Sequence, residues 1–364
     1  MLSGKTIGVV IPCYNEETQI SYVIESMPAF VDRIVVINDH SKDKTLNTIL
    51  EIQKIYNLES ILPVVEKTKN GSSRFSYADD MALKMIEEED KKHIPSEIHE
   101  INNKIKLIII DHKKNGGVGG SIASGYKWCR DHDIDCTAVM AGDGQMDPAE
   151  LESICMPIVN EEVDYVKGNR LIHRAARRVI PWKRFFGNSV LSILTKIASG
   201  YWHISDTQTG YTAINLVALQ SISLSSIYRS YGMPNDMLVK LNIGSFIIKE
   251  VPIKPVYNIG EKSKMKIPIV IPKISFLLIK LFLKRLVVKY FLNDFHPLFL
   301  CYLMFIFCLG LDIAIFANLI YILQTEEIFR DNYFLLGSLM TMLTTLFLLF
   351  GMWFDMQDNE RLQK

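Results

Sequence analysis

Two apolar runs near one end of the chain, residues 298–323 and 333–354, constrain it more than any other feature. Each exceeds the roughly 20 residues a helix needs to cross the hydrocarbon core of a bilayer. The nine residues joining them, QTEEIFRDN, hold three acids and one Arg, whereas the segment before the first run is strongly basic. The positive-inside rule then puts the large N-terminal part and the tail, residues 357–364, on the cytoplasmic side. Asp312 is the one charge inside either run. A charge is costly in lipid, so it is expected to face the partner helix or a polar cavity, or to sit off-centre in a tilted helix. Trp353 is expected to anchor near the end of the second span. Two helices are too few for an independent channel, so anchoring is favoured over transport. Association through Asp312 would make a homo-oligomer.

Residues 266–293 form a second membrane-directed segment. They are apolar yet carry Lys273, Lys280, Lys284, Arg285 and Lys289. Lys273, Lys280 and Lys284 are seven and four apart and share a helix face, the pattern of an interfacial helix lying on anionic lipid. Hydrophobic residues make up 49% of the 364, and mean hydropathy is +0.15, high for a wholly soluble chain. Forty basic residues balance forty acidic ones, so no global field points to nucleic acid. The six cysteines show no CxxC pair or metal-like spacing, and the histidines form no HxxxH or HExxH. Reduced, buried thiols are expected. The N-terminal MLSGKTIGVVIP reads as a first strand and not as a signal peptide.

Residues 1–265 alternate strand-like and helix-like stretches. Strands are expected at 7–11, 33–37, 107–110 and 137–140, with helices at 17–27 and 44–56. Alternation with polar loops at strand ends predicts an α/β fold with a mostly parallel sheet. Ligands in such sheets bind beyond the carboxyl ends of the strands. Asn15, Asp39 and Asp143 fall just past strand ends and should share one crevice. Residues 66–106 interrupt the rhythm. They are charge-rich, with a helix expected at 77–92, and read as a solvated surface insertion or a specificity element.

The stretch GDGQMDP, residues 142–148, carries the most chemistry. A Gly-flanked Asp at a strand end places a hard cation against phosphates. Mg²⁺ and Mn²⁺ take oxygen ligands and keep positions open for substrate oxygens. Asp143 and Gln145 are the candidate metal residues, and Gly142 and Gly144 leave room for a diphosphate. Asp147, followed by Pro148, is expected to cap the next helix. Trp128, Trp182 and Trp202 are read as core or interface residues.

Six segments taken in order carry a resemblance: VVIPCYNEE (9–17), VINDHSKDKT (36–45), NGGVGGSIASGY (115–126), GDGQMDP, GNR (168–170) and DTQTGY (206–211). Together they resemble an inverting family 2 glycosyltransferase of the GT-A fold. More narrowly, they resemble the dolichyl- and polyprenyl-phosphate sugar synthases of the branch with two C-terminal spans. The resemblance covers about residues 5–265 outside the insertion. It implies that Pro12, Tyr14, Glu16 and Asp39 line the nucleotide pocket, and that Asp143 and Gln145 hold Mg²⁺ or Mn²⁺ and the diphosphate. It further implies that Arg170, Arg184 and Asn188 grip an acceptor phosphate, and that Asp206 and Gln208 face the donor sugar or acceptor. Lys262, Ser263 and Lys264, in YNIGEKSKMK, would close over phosphates. Arg forks suit phosphate oxygens, and Lys adds point charge.

This chain departs from that pattern at Ala141, where the family has a first Asp, and at Asn38, His40 and Val118. The expected reaction is metal-dependent, inverting transfer from a UDP- or GDP-linked sugar to polyprenyl phosphate at the cytoplasmic membrane face. A phosphate acceptor is already ionised near neutral pH, with a second pKa of about 6, and requires no general base. A sugar hydroxyl on a lipid-linked saccharide requires one, with Asp206 and Asp236 as candidates. Asp236 is equally readable as a helix cap. A third reading, favoured by Ala141, is a catalytically impaired membrane scaffold that binds nucleotide sugars.

Overall fold

The computed structural model describes residues 1–56, 77–99, 106–180, 182–256, 267–325 and 330–364. The first half runs β1 (Ile7–Cys13), α1 (Ile20–Glu25), β2 (Arg33–Asn38), α2 (Thr45–Tyr56), α3 (Tyr77–Asp90), β3 (Ser96–His99), β4 (Leu107–His112), α4 (Val118–Asp131) and β5 (Cys136–Val139). After a 3-10 turn at Pro148–Glu150 come α5 (Leu151–Val159), β6 (Tyr165–Asn169), α6 (Ala176–Val179), α7 (Trp182–Ser199), β7 (Thr212–Asn215), α8 (Leu216–Ser221), α9 (Met233–Ile243) and β8 (Ile248–Pro252). The chain ends with α10 (Ile267–Val287), a π-helical turn at Val288–Asn293, α11 (Pro297–Thr325), α12 (Arg330–Asn359) and a 3-10 turn at Glu360–Leu362.

The eight strands form one sheet in the order β3-β4-β2-β1-β5-β7-β6-β8. Its central strands are buried on both faces, so they read as continuous apolar runs. Val9 and Ile11 point to the layer containing α1, α2 and α5, while Val10 and Ile37 point to the layer of α4, α8 and α9. β1 runs on through Pro12, which the sequence suggested would end it. The ladder to β5 stops at the Val10–Val139 pair, and beyond it Pro12 only accepts, from the Gly142 amide.

The sheet is mostly parallel as expected, with two of its eight strands reversed. β7 is antiparallel to both β5 and β6, and β3 is antiparallel to β4. Thr212, which opens β7, pairs with Val139 near the end of β5 and with Lys167 of β6. Reversal of β7 thus carries the preceding segment, residues 206–211, to the carboxyl edge where the other loops gather. The insertion also differs from a solvated excursion. α3 exposes Tyr77, Leu83 and Met85, but β3 extends the sheet and Ile94 is buried. Glu89 accepts hydrogen bonds from the Ser225 amide and the Ser223 hydroxyl.

α10 buries Ile274, Leu278 and Leu281 and exposes Phe276, Ile279 and Leu283 beside Lys273, Lys280 and Lys284. An exposed stripe that is both apolar and basic suits a lipid surface. Arg285 and Lys289, the other basic residues of this segment, are buried against the α/β domain. The Arg285 guanidinium forks onto Asp355 in the last turns of α12, at 2.6 and 2.8 Å, and donates to the Ala198 and Ile197 carbonyls at the end of α7. Pro297–Ile322 and Asp331–Leu362 are long and apolar enough to cross a membrane, and only 22% and 17% of their apolar windows are buried. Asp312 faces the partner helix and accepts from Thr344 at 2.6 Å. The tail at residues 357–364 is docked. Leu362 enters the core, the Lys364 amide donates to the Ile248 carbonyl, and Gln363 bridges to Ile248 at the edge of β8.

Candidate active site

The carboxyl ends of β1, β2 and β4 align in register, with Cys13 opposite Asn38 and Asn38 opposite Asp111. The β1–α1 and β2–α2 loops are stitched together. Asn15, in a left-handed conformation (φ 56°), accepts from the Lys42 amide at 2.8 Å, and the Glu16 amide donates to the Thr45 hydroxyl at 2.9 Å. Tyr14 and Glu16 sit half-buried on this rim beyond Pro12. Asn38 donates to Asp111 at 2.7 Å.

Asp39 directly follows β2 and is buried, and its carboxylate is engaged. It accepts from the Gly116 and Gly117 amides at 2.7 and 2.8 Å and bonds His112 Nδ1 at 2.8 Å. The buried His112 ring reaches the Ser124 hydroxyl through Nε2 at 2.9 Å. What Asp39 contributes is therefore the course of the Gly-rich loop. Gly117 has φ 72°, and a Cβ there would collide with the Arg229 carbonyl, so the loop requires glycine at this position.

Beyond β5, Gly142 hydrogen-bonds the Pro12 carbonyl, bringing the Asp143 loop against β1. Asp143 is half-buried and accepts from the Gln145 amide at 3.0 Å, while Gly144 supplies a left-handed turn (φ 74°). Among the described residues the buried Gln145 Nε2 has no hydrogen-bond partner, which is costly unless a ligand atom pairs with it. Asp147 caps the following turn as expected, accepting from the Ala149 amide, with Pro148 next to it. Its carbonyl receives the Tyr211 hydroxyl at 3.0 Å, tying this loop to the 206–211 segment.

The far wall is a charged network. Arg170, just past β6, makes a two-pronged pair with Asp206 at 2.8 and 3.0 Å, and its amide donates to the same carboxylate at 3.1 Å. Burial pushes the Asp206 carboxyl up, but the Arg170 hydrogen bonds and charge, with the charge of Lys167, outweigh it and hold the group below the usual carboxylate range. Sequence reasoning missed the two residues behind this pair. Glu250 on β8 accepts from the Ser205 and Asp206 amides, the Ser205 hydroxyl and Asn169 Nδ2. Lys167, fully buried on β6, donates to the Thr209 carbonyl. The available signal was charge inside the short strands YVKGN and IKEVP.

Gln208 turns toward α9, donating to Asn235 Oδ1 at 3.0 Å. Asp236 is within the first turn of α9 and is not its cap, which is Gly232. It pairs with Lys240 and accepts from the Tyr228 amide. Arg184 and Asn188 lie on α7 with side chains outside the described residues, as does that of Trp182, and Lys262, Ser263 and Lys264 are also outside them. Trp128 is core, stacked on His132, and Trp202 donates to Asp355.

No group of three or more His, Cys, Asp or Glu side chains that could hold a metal occurs among the described residues. At the end of β5, Asp143 offers one half-buried carboxylate, with Gln145 two residues on. Mg²⁺ is commonly held by one or two carboxylates together with substrate phosphates, so these residues fit an ion that shares a diphosphate.

The model of the glycosyl transferase family 2 matches residues 8–74 and 90–223. UDP-N-acetylglucosamine–dolichyl-phosphate N-acetylglucosaminyltransferase of Methanococcus voltae is 27% identical over 263 residues, covering 71% of this chain and 88% of that protein. An uncharacterised protein of Methanocaldococcus jannaschii is 26% identical over 259 residues, covering 71% and 84%. Among solved structures, glucosyl-3-phosphoglycerate synthase of Mycobacterium tuberculosis with Mn²⁺, UDP and its product is 16% identical over 78% of this chain and 80% of that one, with TM-score 0.46. The same enzyme has been crystallised with Mg²⁺ and UDP.

Proposed function

As the chain belongs to glycosyl transferase family 2, we propose that it moves a sugar, with inversion, from a UDP-linked donor to a polyprenyl phosphate at a membrane surface. The state of the two candidate bases carries the choice of acceptor. Asp206 is held by Arg170 and kept acidic, and Asp236 is paired with Lys240. A hydroxyl acceptor must give up a proton, whereas a phosphate monoester arrives ionised. Two apolar helices docked on the catalytic domain favour a lipid as its carrier. The Methanococcus voltae relative is named for UDP-N-acetylglucosamine and dolichyl phosphate, which makes that donor the first to test.

Residues 12–16 and the Gly-rich loop that Asp39 shapes would hold the nucleoside, and Gln145 Nε2 would donate to the donor. Asp143 and the Gln145 oxygen would hold Mg²⁺ or Mn²⁺, which supplies positive charge to the leaving diphosphate. Arg170 would share its guanidinium between Asp206 and the acceptor phosphate, which attacks the anomeric carbon from the face opposite UDP. Arg184, Asn188, Lys262, Ser263 and Lys264 would add positive charge or donors on the acceptor side. The basic, apolar stripe of α10 would lie on the cytoplasmic leaflet, with both ends of the hairpin on that side.

The test is an organic-extraction assay with purified protein, Mg²⁺ or Mn²⁺, polyprenyl phosphate and labelled UDP- and GDP-sugars. Acid-labile label in the organic phase from one UDP-sugar is expected. Label appearing only when a glycosylated lipid replaces the phosphate would overturn the acceptor assignment.

A further inference from the structure

The charges behind Arg170 balance in a specific way. Arg170 and Lys167 are cations, and Asp206 and Glu250 are the carboxylates that face Lys167. These four make two positive and two negative charges, on or just past β6, on β8 or in the 205–206 segment. Glu250 holds the turn by its amides, Asp206 holds Arg170, and Lys167 holds the Thr209 carbonyl three residues further on. Lys167 thus closes the network from below, without access to solvent.

We propose that Lys167 is a positioning residue for the acceptor-phosphate site: it fixes the 205–211 segment and cancels the charge that would otherwise repel an anion at Arg170. This rests on the function proposed above. With Lys167 protonated, the four groups sum to zero. With it neutral they sum to −1, Arg170 is drawn more fully onto carboxylates, and an incoming phosphate meets net negative charge in a site of low dielectric. Burial drives the Lys167 pKa down to about 8, Asp206 and Glu250 oppose that shift, and Arg170 adds to it. The switch between the two states therefore falls just above neutral pH.

Two readouts test this. The first is amide exchange at Arg170, Ser205 and Asp206 in the full-length protein, divided by intrinsic rates, without substrate. Lys167→Met should speed exchange at these amides about tenfold or more, while Lys167→Arg retains protection. In wild type, protection should fall as pH rises through about 8, and in Lys167→Arg it should stay flat. Equal protection in Lys167→Met, or the same pH profile in wild type and Lys167→Arg, would overturn the proposal. Should Lys167→Met fail to fold, the comparison of wild type with Lys167→Arg decides alone.

The second readout is transfer from UDP-N-acetylglucosamine to polyprenyl phosphate in detergent. The KM for the lipid phosphate should rise about tenfold in Lys167→Met with the donor KM little changed, and the alkaline limb of wild type should be absent in Lys167→Arg. A rise confined to the donor KM would refute the assignment to the acceptor side. If wild type makes no lipid product, the function proposed above fails, and the exchange measurement still decides whether Lys167 orders the segment.

Discussion

Asp355→Ala tests how the C-terminal apolar helices are joined to the catalytic domain. The Asp355 carboxylate accepts both prongs of Arg285, the Tyr290 hydroxyl at 2.9 Å, Asn359 Nδ2 at 2.9 Å and Trp202 Nε1 at 3.2 Å. Both Asp355 and Arg285 are buried. Removing the acid strands a buried guanidinium, and breaking such a pair costs about 3–5 kcal/mol. At about 2–4 °C per kcal/mol for a domain of 150–250 residues, the catalytic domain should melt on the order of 10 °C lower. Arg285→Met alone should cost a similar amount, because it leaves a buried carboxylate. The pair Arg285→Met with Asp355→Leu removes both charges, and apolar replacement of a buried ion pair is often neutral or stabilising by about 1–4 kcal/mol. The double variant should therefore recover most of the loss. The assay is thermal unfolding of all four proteins in one detergent, followed by tryptophan fluorescence, for which Trp202 is a reporter at the junction. A loss under about 1 kcal/mol for Asp355→Ala, the value of an exposed pair, would refute the reasoning.

Asp143→Ala should lower transfer about 10²-fold or more, since it removes the carboxylate proposed to hold the metal; EDTA should do the same to wild type, and reversal by Mg²⁺ or Mn²⁺ checks the assignment in the extraction assay. The stability contributed by Asp206 comes from a depressed folded-state pKa, so it is present above the unfolded value near 3.8 and lost only as pH falls through the lower folded value. Between pH 5 and 8 the acid limb of the rate profile should therefore be unchanged in Asp206→Asn, whatever its amplitude, and a limb that shifts would restore Asp206 as a base. Burial holds the Cys129 thiol up at about 12, and Cys13 and Cys136 are raised as well; Ellman's reagent at pH 8 should leave these three unmodified until the protein is unfolded. Gly117→Ala should destabilise by about 1–3 kcal/mol, because the left-handed backbone and the Arg229 carbonyl both oppose a side chain, as thermal unfolding would show.

Much of this protein is legible in the sequence because its signals are local. A 26-residue apolar helix is recognisable from composition alone, since lipid imposes length and polarity on each span separately. The α/β class, GT-A as the motifs suggest, follows from apolar runs alternating with helical periods, and the glycosyl transferase family from motifs at strand ends. The Asp147 cap needs only its own turn. Tertiary structure decided the rest. Nothing in TAIN distinguishes a parallel strand from the antiparallel β7, because side chains alternate identically in either direction. The reversal is nonetheless what brings residues 206–211 to the active edge. Arg285 reads as one more lipid-facing base in LFLKRLVVKYF, and its burial depends on Asp355, 70 residues away. Asp39 and Asp206 are each engaged by groups distant in sequence: Asp39 by His112 and the Gly116 and Gly117 amides, Asp206 by Arg170. A side chain's type is a property of its position in the chain. Whether its charge faces lipid, a ligand or a buried partner depends on what the fold sets opposite it, because the cost of an unpaired charge away from water is large enough to decide the arrangement.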